Sequence, residues 1–131
     1  MNLGLDTSVV LRLLTGQPAE LAEIAQRRLE QAHADGDTVV ISDLVLAECY
    51  YALVHHYQFA KEDARSKLHH MANSGTVVID PSEARAALDK AHGAGLVDRL
   101  ILHRYRAGQA STLTFDKALG AAGATRLKTK S

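Results

Sequence analysis

The strongest constraint on this chain is an alternation. Short β-branched apolar runs recur, "TVVIS" at 38–42, "TVVID" at 76–80 and "STLTF" at 111–115, and longer stretches with helical periodicity separate them. An apolar run of about five residues, apolar throughout, fits a strand covered on both faces. Strands that alternate with helices predict an α/β fold with a mostly parallel sheet joined by crossovers. With 131 residues the chain has the length of one ordinary domain, so we expect one domain over 1–131.

The remaining elements follow from breakers and caps. Residues 2–5 read as a first strand ending at Asp6, after which Asp6, Thr7 and Ser8 offer a cap for a helix stopped by Gly16. Pro18 opens an amphipathic helix to about His33, with Leu21, Ile24, Ala25 and Leu29 on one face. Ser42 or Asp43 caps "LVLAECYYALVHHY", and a further helix spans about Ala60 to Asn73. Pro81 starts a helix to about Ala91, "HGAG" breaks the chain, and Val97 or Asp98 begins a helix closed by Gly108. Asp116 opens a short helix, 124–128 reads as a fifth strand, and the tail "TKS" is expected to fray. The expected sheet therefore has four to five strands flanked by helices.

Composition excludes several classes. Lys plus Arg and Asp plus Glu number 15 each, so the formal net charge is zero, which is not the footprint of a protein that coats nucleic acid. No apolar run approaches the roughly 20 residues a membrane span needs. The N-terminal "MNLGLDTSV" lacks the basic start and apolar stretch of a signal peptide. These features predict a cytoplasmic protein with no membrane partner. Cys49 is the single cysteine and reads as a packed core thiol.

Four acids stand out. Asp6 and Asp116 follow strands, where ligands bind in open parallel sheets. Glu48 lies inside an apolar helix and Asp98 starts a helix after a glycine-rich break. Each taken singly has a structural explanation, as a helix cap or as an ion-pair partner. Together they suit a hard divalent cation, which prefers oxygen ligands and relieves the repulsion among carboxylates. Such a cation lowers the pKa of bound water and neutralises charge on phosphate oxygens.

Other patterns weigh less. His55–His56 and His69–His70 are adjacent pairs pointing about 100° apart, so neither chelates as an i, i+4 pair would. Arg99, Arg104 and Arg106 with His103 and Tyr105 form either a phosphate-binding face or a solvated helix surface. The stripe Tyr50, Leu53, Val54 and Tyr57 belongs to the core or to a dimer face. Ser8 stands where an Asp-x-Asp phosphotransferase needs its second acid, and no Gly-Lys-Ser/Thr loop is present.

The order of the motifs is itself informative. "LDTSVVLRLL", "SDLVLAECYYAL", "GLVDRLIL" and "LTFDKAL" resemble the four motifs of PIN domains, in particular those of VapC-type ribonuclease toxins. The resemblance covers nearly the whole chain. It implies that Asp6, Glu48, Asp98 and Asp116 bind Mg²⁺ or Mn²⁺ and support hydrolysis of RNA phosphodiesters. Ser8 and Thr114 match small hydroxyl positions that hold carboxylates or a metal-bound water, with Thr7 a capping residue facing the same cleft. It further implies an RNA substrate, a cognate antitoxin protein and a homodimer. The third motif departs from the family: Gly95, Leu96 and Val97 replace an acid, an aromatic and a small residue, and Arg99 replaces the common alanine. Arg99 is placed either to contact an RNA phosphate or to pair with Glu48. The alternatives are a catalytically weak PIN module that binds RNA or protein, and a PIN nuclease of RNA processing.

Overall fold

The structure is a computed structural model that describes residues 1–90 and 92–128. Three parallel strands form the main sheet: β1 (Asn2–Gly4), β2 (Thr38–Ser42) and β3 (Val78–Asp80), in that order. Gly4 pairs with Val40 and Ser42 with Asp80, so the carboxyl ends of all three strands reach one edge. Helices α1 (Thr7–Thr15) and α2 (Ala19–Ala34) link β1 to β2, and α3 (Asp43–His55) and α4 (Lys61–Ala72) link β2 to β3. The helices that follow strands, α1 and α3, begin at capping residues, whereas α2 and α4 start at Pro18 and Ala60 without a side-chain cap. Ser42 caps α3 by accepting from the Val45 N–H, and Gly16 ends α1 in the left-handed conformation, its N–H donating to the Arg12 carbonyl.

The core lies between the sheet and these helices. Val40 is only half-buried and Val78 is 50% exposed, so the cover on both faces expected from the apolar runs is corrected to full cover on one, where Val39 and Ile41 of β2 and Ile79 of β3 are buried. They meet Val10, Leu46, Leu53 and Leu68 from the helices. Each fully buried aliphatic side chain contributes about 1.5–3 kcal/mol of burial free energy. Cys49 is buried here, and its thiol is pushed up to about 12 by desolvation first, then by the charges of Glu48 and Asp6. Tyr50, Val54 and Tyr57 are half-buried against this cluster and Leu53 is fully enclosed, so the stripe serves the core.

Beyond β3 the structure departs from the expected pattern. Pro81 opens a 3₁₀ helix, Ser82–Leu88, in place of an α-helix to about Ala91, a residue outside those described. Its buried Ala84 and Ala87 lie three apart, so they stack on one face of a three-residue repeat. Helix α5 (Leu96–Ala107) then starts at Leu96, and α6 (Lys117–Ala121) follows Asp116.

The expected sheet of four to five strands is corrected to three. Among the described residues β4 (Leu113–Thr114) and β5 (Thr125–Arg126) pair only with each other, as a separate parallel ladder. Leu113 and Phe115 are 65% and 75% exposed and the residue buried beside them is the small, polar Thr112, so this run brings no large apolar side chain to the main core. The tail 129–131, expected to fray, lies outside the described residues. Among the described residues no helix is long and apolar enough to cross a membrane.

Candidate metal and nucleic-acid site

Asp6 leaves the carboxyl end of β1, which the Leu5 N–H anchors to the Val40 carbonyl at 2.9 Å. It is the N-cap of α1: its Oδ1 accepts from the Val9 N–H at 3.2 Å and from the Ser8 hydroxyl at 2.7 Å. The Ser8 hydrogen bond, then the Val9 N–H, hold the Asp6 carboxyl below its ordinary value. This acid is fully solvent-facing and ionised throughout the neutral range. Both capping bonds use Oδ1, which leaves Oδ2 free for another partner.

Glu48 sits midway along α3 and is exposed, on the turn next to buried Cys49. It lines a shallow cleft of about 440 Å³ together with Thr7, Ala52, His56 and Val97. The cleft thus joins the start of α1, the middle of α3 and the start of α5, and Thr7 and Val97 are the sequence neighbours of Asp6 and Asp98. Asp6 and Glu48 also act together on one group, since both charges bear on the Cys49 thiol.

Asp98 occupies the first turn of α5, where the unpaired N–H groups and the helix dipole favour an anion. A side chain built at Gly95 would meet its Oδ2 at 3.8 Å, an ordinary contact, so Gly95 is the residue beside this carboxylate. Asp116 caps α6, with Oδ2 accepting from the Leu119 N–H at 2.7 Å, and the Thr114 hydroxyl accepts from the Asp116 N–H at 3.0 Å. Asp116 is therefore carried by the small β4–β5 ladder rather than by the main sheet.

The donor chemistry of these four residues fits a hard divalent cation: all are carboxylates, and the two that cap helices keep an oxygen uncommitted. The structure places the Asp6 and Glu48 charges near enough to bear on the Cys49 thiol and sets Asp98 in the first turn of α5. Among the described residues, no three acidic, histidine or cysteine side chains gather closely enough to hold a metal ion. His55 packs on the Tyr51 ring at 4.4 Å between centroids, and His69 bonds Asp89 at 3.1 Å.

Arg99 differs from one of its two expectations. It does not pair with Glu48. It turns inward, 7% exposed, and its Nε, Nη1 and Nη2 donate to the carbonyls of Ala87, Ala94 and Lys90. Burial and the nearby Arg65 charge depress its pKa, and desolvation chiefly lowers that of His103 on the same helix. Arg104, read as part of a possible phosphate face, instead holds Asp43. Its Nη1 reaches both carboxylate oxygens, at 2.9 and 3.0 Å. Asp43 is buried at the first position of α3, so this pair fastens α3 to α5. An acid directly after the capping serine of an apolar helix was the available signal, because such a carboxylate needs a cation when buried. Sequence reasoning also passed over Lys61 and Arg65, which line a hollow with the chain at Gly93–Leu96 about 30 residues further along.

With the fold and these positions in hand, the class is defined. The family described as PIN domain matches residues 4–124, and the chain belongs to that family. PIN domains are typically nucleases, usually with divalent metals. No curated protein and no solved structure matches the chain.

Proposed function

We propose that this chain is a divalent-metal-dependent endoribonuclease and the toxin component of a VapBC-type pair, acting in the cytoplasm. The observation that carries this reading is Asp6. In a chain matched to the PIN family from residue 4 to 124, the acid at the carboxyl end of β1 is held ionised by Ser8, with one oxygen uncommitted. Asp6, Glu48, Asp98 and Asp116 are the residues that would hold Mg²⁺ or Mn²⁺. When bound, the cation supplies an activated water and charge neutralisation at the scissile phosphate. The protein's own contribution is positioning. Ser8 orients the Asp6 carboxylate, the Val9 N–H keeps it aimed from the helix start, and the Thr114 hydroxyl fixes the backbone of Asp116. The partners in this reading are RNA, a cognate antitoxin that blocks the cleft, and a second copy of the chain.

The test is cleavage of a mixed cellular RNA pool by wild type and Asp6→Asn, with Mg²⁺, with Mn²⁺ and with chelator. We expect metal-dependent cleavage by wild type that the variant loses, because Asp6→Asn removes a carboxylate that would hold the cation. Cleavage by Asp6→Asn at the wild-type rate removes the assignment. Gly95, standing where many family members carry an acid, favours one second reading, a PIN module that binds RNA or protein without cutting. No cleavage by wild type and no Mn²⁺-dependent rise in thermal midpoint, after any partner chain is removed, selects that reading. Co-expression with a neighbouring gene product separates a toxin from a nuclease of RNA processing: stable co-purification with loss of cleavage is the toxin result.

A further inference from the structure

Next to the start of α5 lies a second hollow, about 210 Å³, walled by the loop Gly93–Leu96 and the first turns of α4. Lys61, Arg65 and Arg99 line it, against one acid, Glu62, which Arg65 already engages at 2.7 Å. Two positive charges are left in excess. Arg99 is buried with bonds only to neutral carbonyls, and no ion pair to it is formed among the described residues. Its guanidinium has five N–H groups, so three bonds leave two donors over. The Arg65 Nε is buried without a partner among the described residues, while its Nη1 donates to the Leu88 carbonyl. A desolvated cation beside another cation is costly unless an anion joins them.

The opposite wall supplies the complementary feature. Gly95 caps α5 without a side-chain bond, so the first-turn N–H groups have no side-chain acceptor from the cap, and Gly95 and Leu96 of this helix start line the hollow. An oxyanion with several acceptor oxygens meets the guanidinium forks and these N–H groups together. Gly95 forms part of the wall and also lies beside the Asp98 carboxylate, so the hollow abuts that one acid of the four.

We propose that this hollow holds a phosphate of the RNA strand, adjacent to the one that is cleaved. Naming RNA as the source rests on the nuclease reading. The recognised chemistry, a phosphate oxyanion, does not. Backbone phosphate contacts of this kind fix the register of a strand without reading its bases.

The test needs no catalysis. Backbone-amide NMR of the full chain in chelator is followed while an eight-nucleotide RNA is added, and separately inorganic phosphate. The amides of Gly93, Gly95 and Leu96 are expected to shift and saturate with the RNA, and inorganic phosphate is expected to compete. Lys61→Glu, at an exposed helix position, should weaken RNA binding about tenfold, the value of one charge-assisted hydrogen bond. Arg27→Glu on α2 makes the same charge change elsewhere and should weaken it far less. Unshifted amides, equal loss in both variants, or shifts with inorganic phosphate but not with RNA overturn the proposal. Cleavage by wild type without these shifts keeps the nuclease and loses the hollow. Shifts without cleavage keep the hollow as a phosphate site and lose the nuclease.

Discussion

The two halves of this molecule carry their acids on very different supports. Asp6 and Glu48 belong to the half built on β1–β3, with a cluster of enclosed aliphatic side chains behind them. Asp116 belongs to the half built on β4, α6 and β5, whose buried cluster is Ala94, Leu102 and Leu119. Helix α5 joins the halves. Leu96 and Leu100, one turn apart, face the large core, while Leu102, rotated about 200° from Leu100, faces the small one. The comparison teaches that one half of the candidate site is fixed by a core and the other half by a cap, a two-residue ladder and a bridging helix.

The largest test of that contrast is a pair of truncations. Leu53→Ala removes an enclosed side chain from the large core and should cost about 2–5 kcal/mol, read as a drop in the urea midpoint. Leu119→Ala should cost less and act locally, speeding amide exchange over 113–126 while β1–β3 keep their protection. Equal global losses for the two variants would break the comparison and make the small cluster part of one cooperative core.

A second test cuts the fastening between α3 and α5. Arg104→Ala leaves Asp43 buried without its cation, which should cost about 1–2 kcal/mol, kept low because Arg104 itself is 58% exposed. Asp43→Asn should cost less than Arg104→Ala, because it removes the buried charge along with the pair. If the arginine variant unfolds at the wild-type urea concentration, the pair adds nothing to the joint between the halves.

The same contrast governs what could be read in advance. "TVVIS" and "TVVID" announce themselves because successive β-branched apolar residues favour a strand, although only one face of each is fully covered, and Asp6 announces its cap because it directly precedes the helix. The separation of "STLTF" from the main sheet is not legible: pairing depends on what covers Leu113 and Phe115, and that is a tertiary matter. The 3₁₀ helix after Pro81 hides behind the ordinary helix-forming character of alanine. All four acids are legible as positions, whereas how near they lie to one another depends on tertiary packing that no local pattern encodes. Arg99 shows why: its bonding partners are carbonyls 5, 9 and 12 residues back along the chain, which no local pattern specifies.

The finest test compares the two capping acids directly. At Asp6 the Ser8 hydroxyl donates to the carboxylate itself, whereas at Asp116 the Thr114 hydroxyl accepts from the backbone N–H. Ser8→Ala should therefore change the titration of Asp6, and Thr114→Val should act on the backbone turn alone. The sign at Asp6 is fixed by its depressed value in the folded chain. A carboxyl lowered on folding adds stability above its unfolded pKa and loses it as pH falls through the folded one. Without the Ser8 hydroxyl the largest lowering influence is gone, so the Asp6 carboxyl should titrate at higher pH, and its acid-range contribution to stability should shrink. Carboxyl-carbon NMR across the acid range reads this shift in the absence of any metal. An unchanged Asp6 midpoint in Ser8→Ala would mean that the Val9 N–H alone holds the charge. Ser8 would then have no electrostatic part in preparing the first acid of the site.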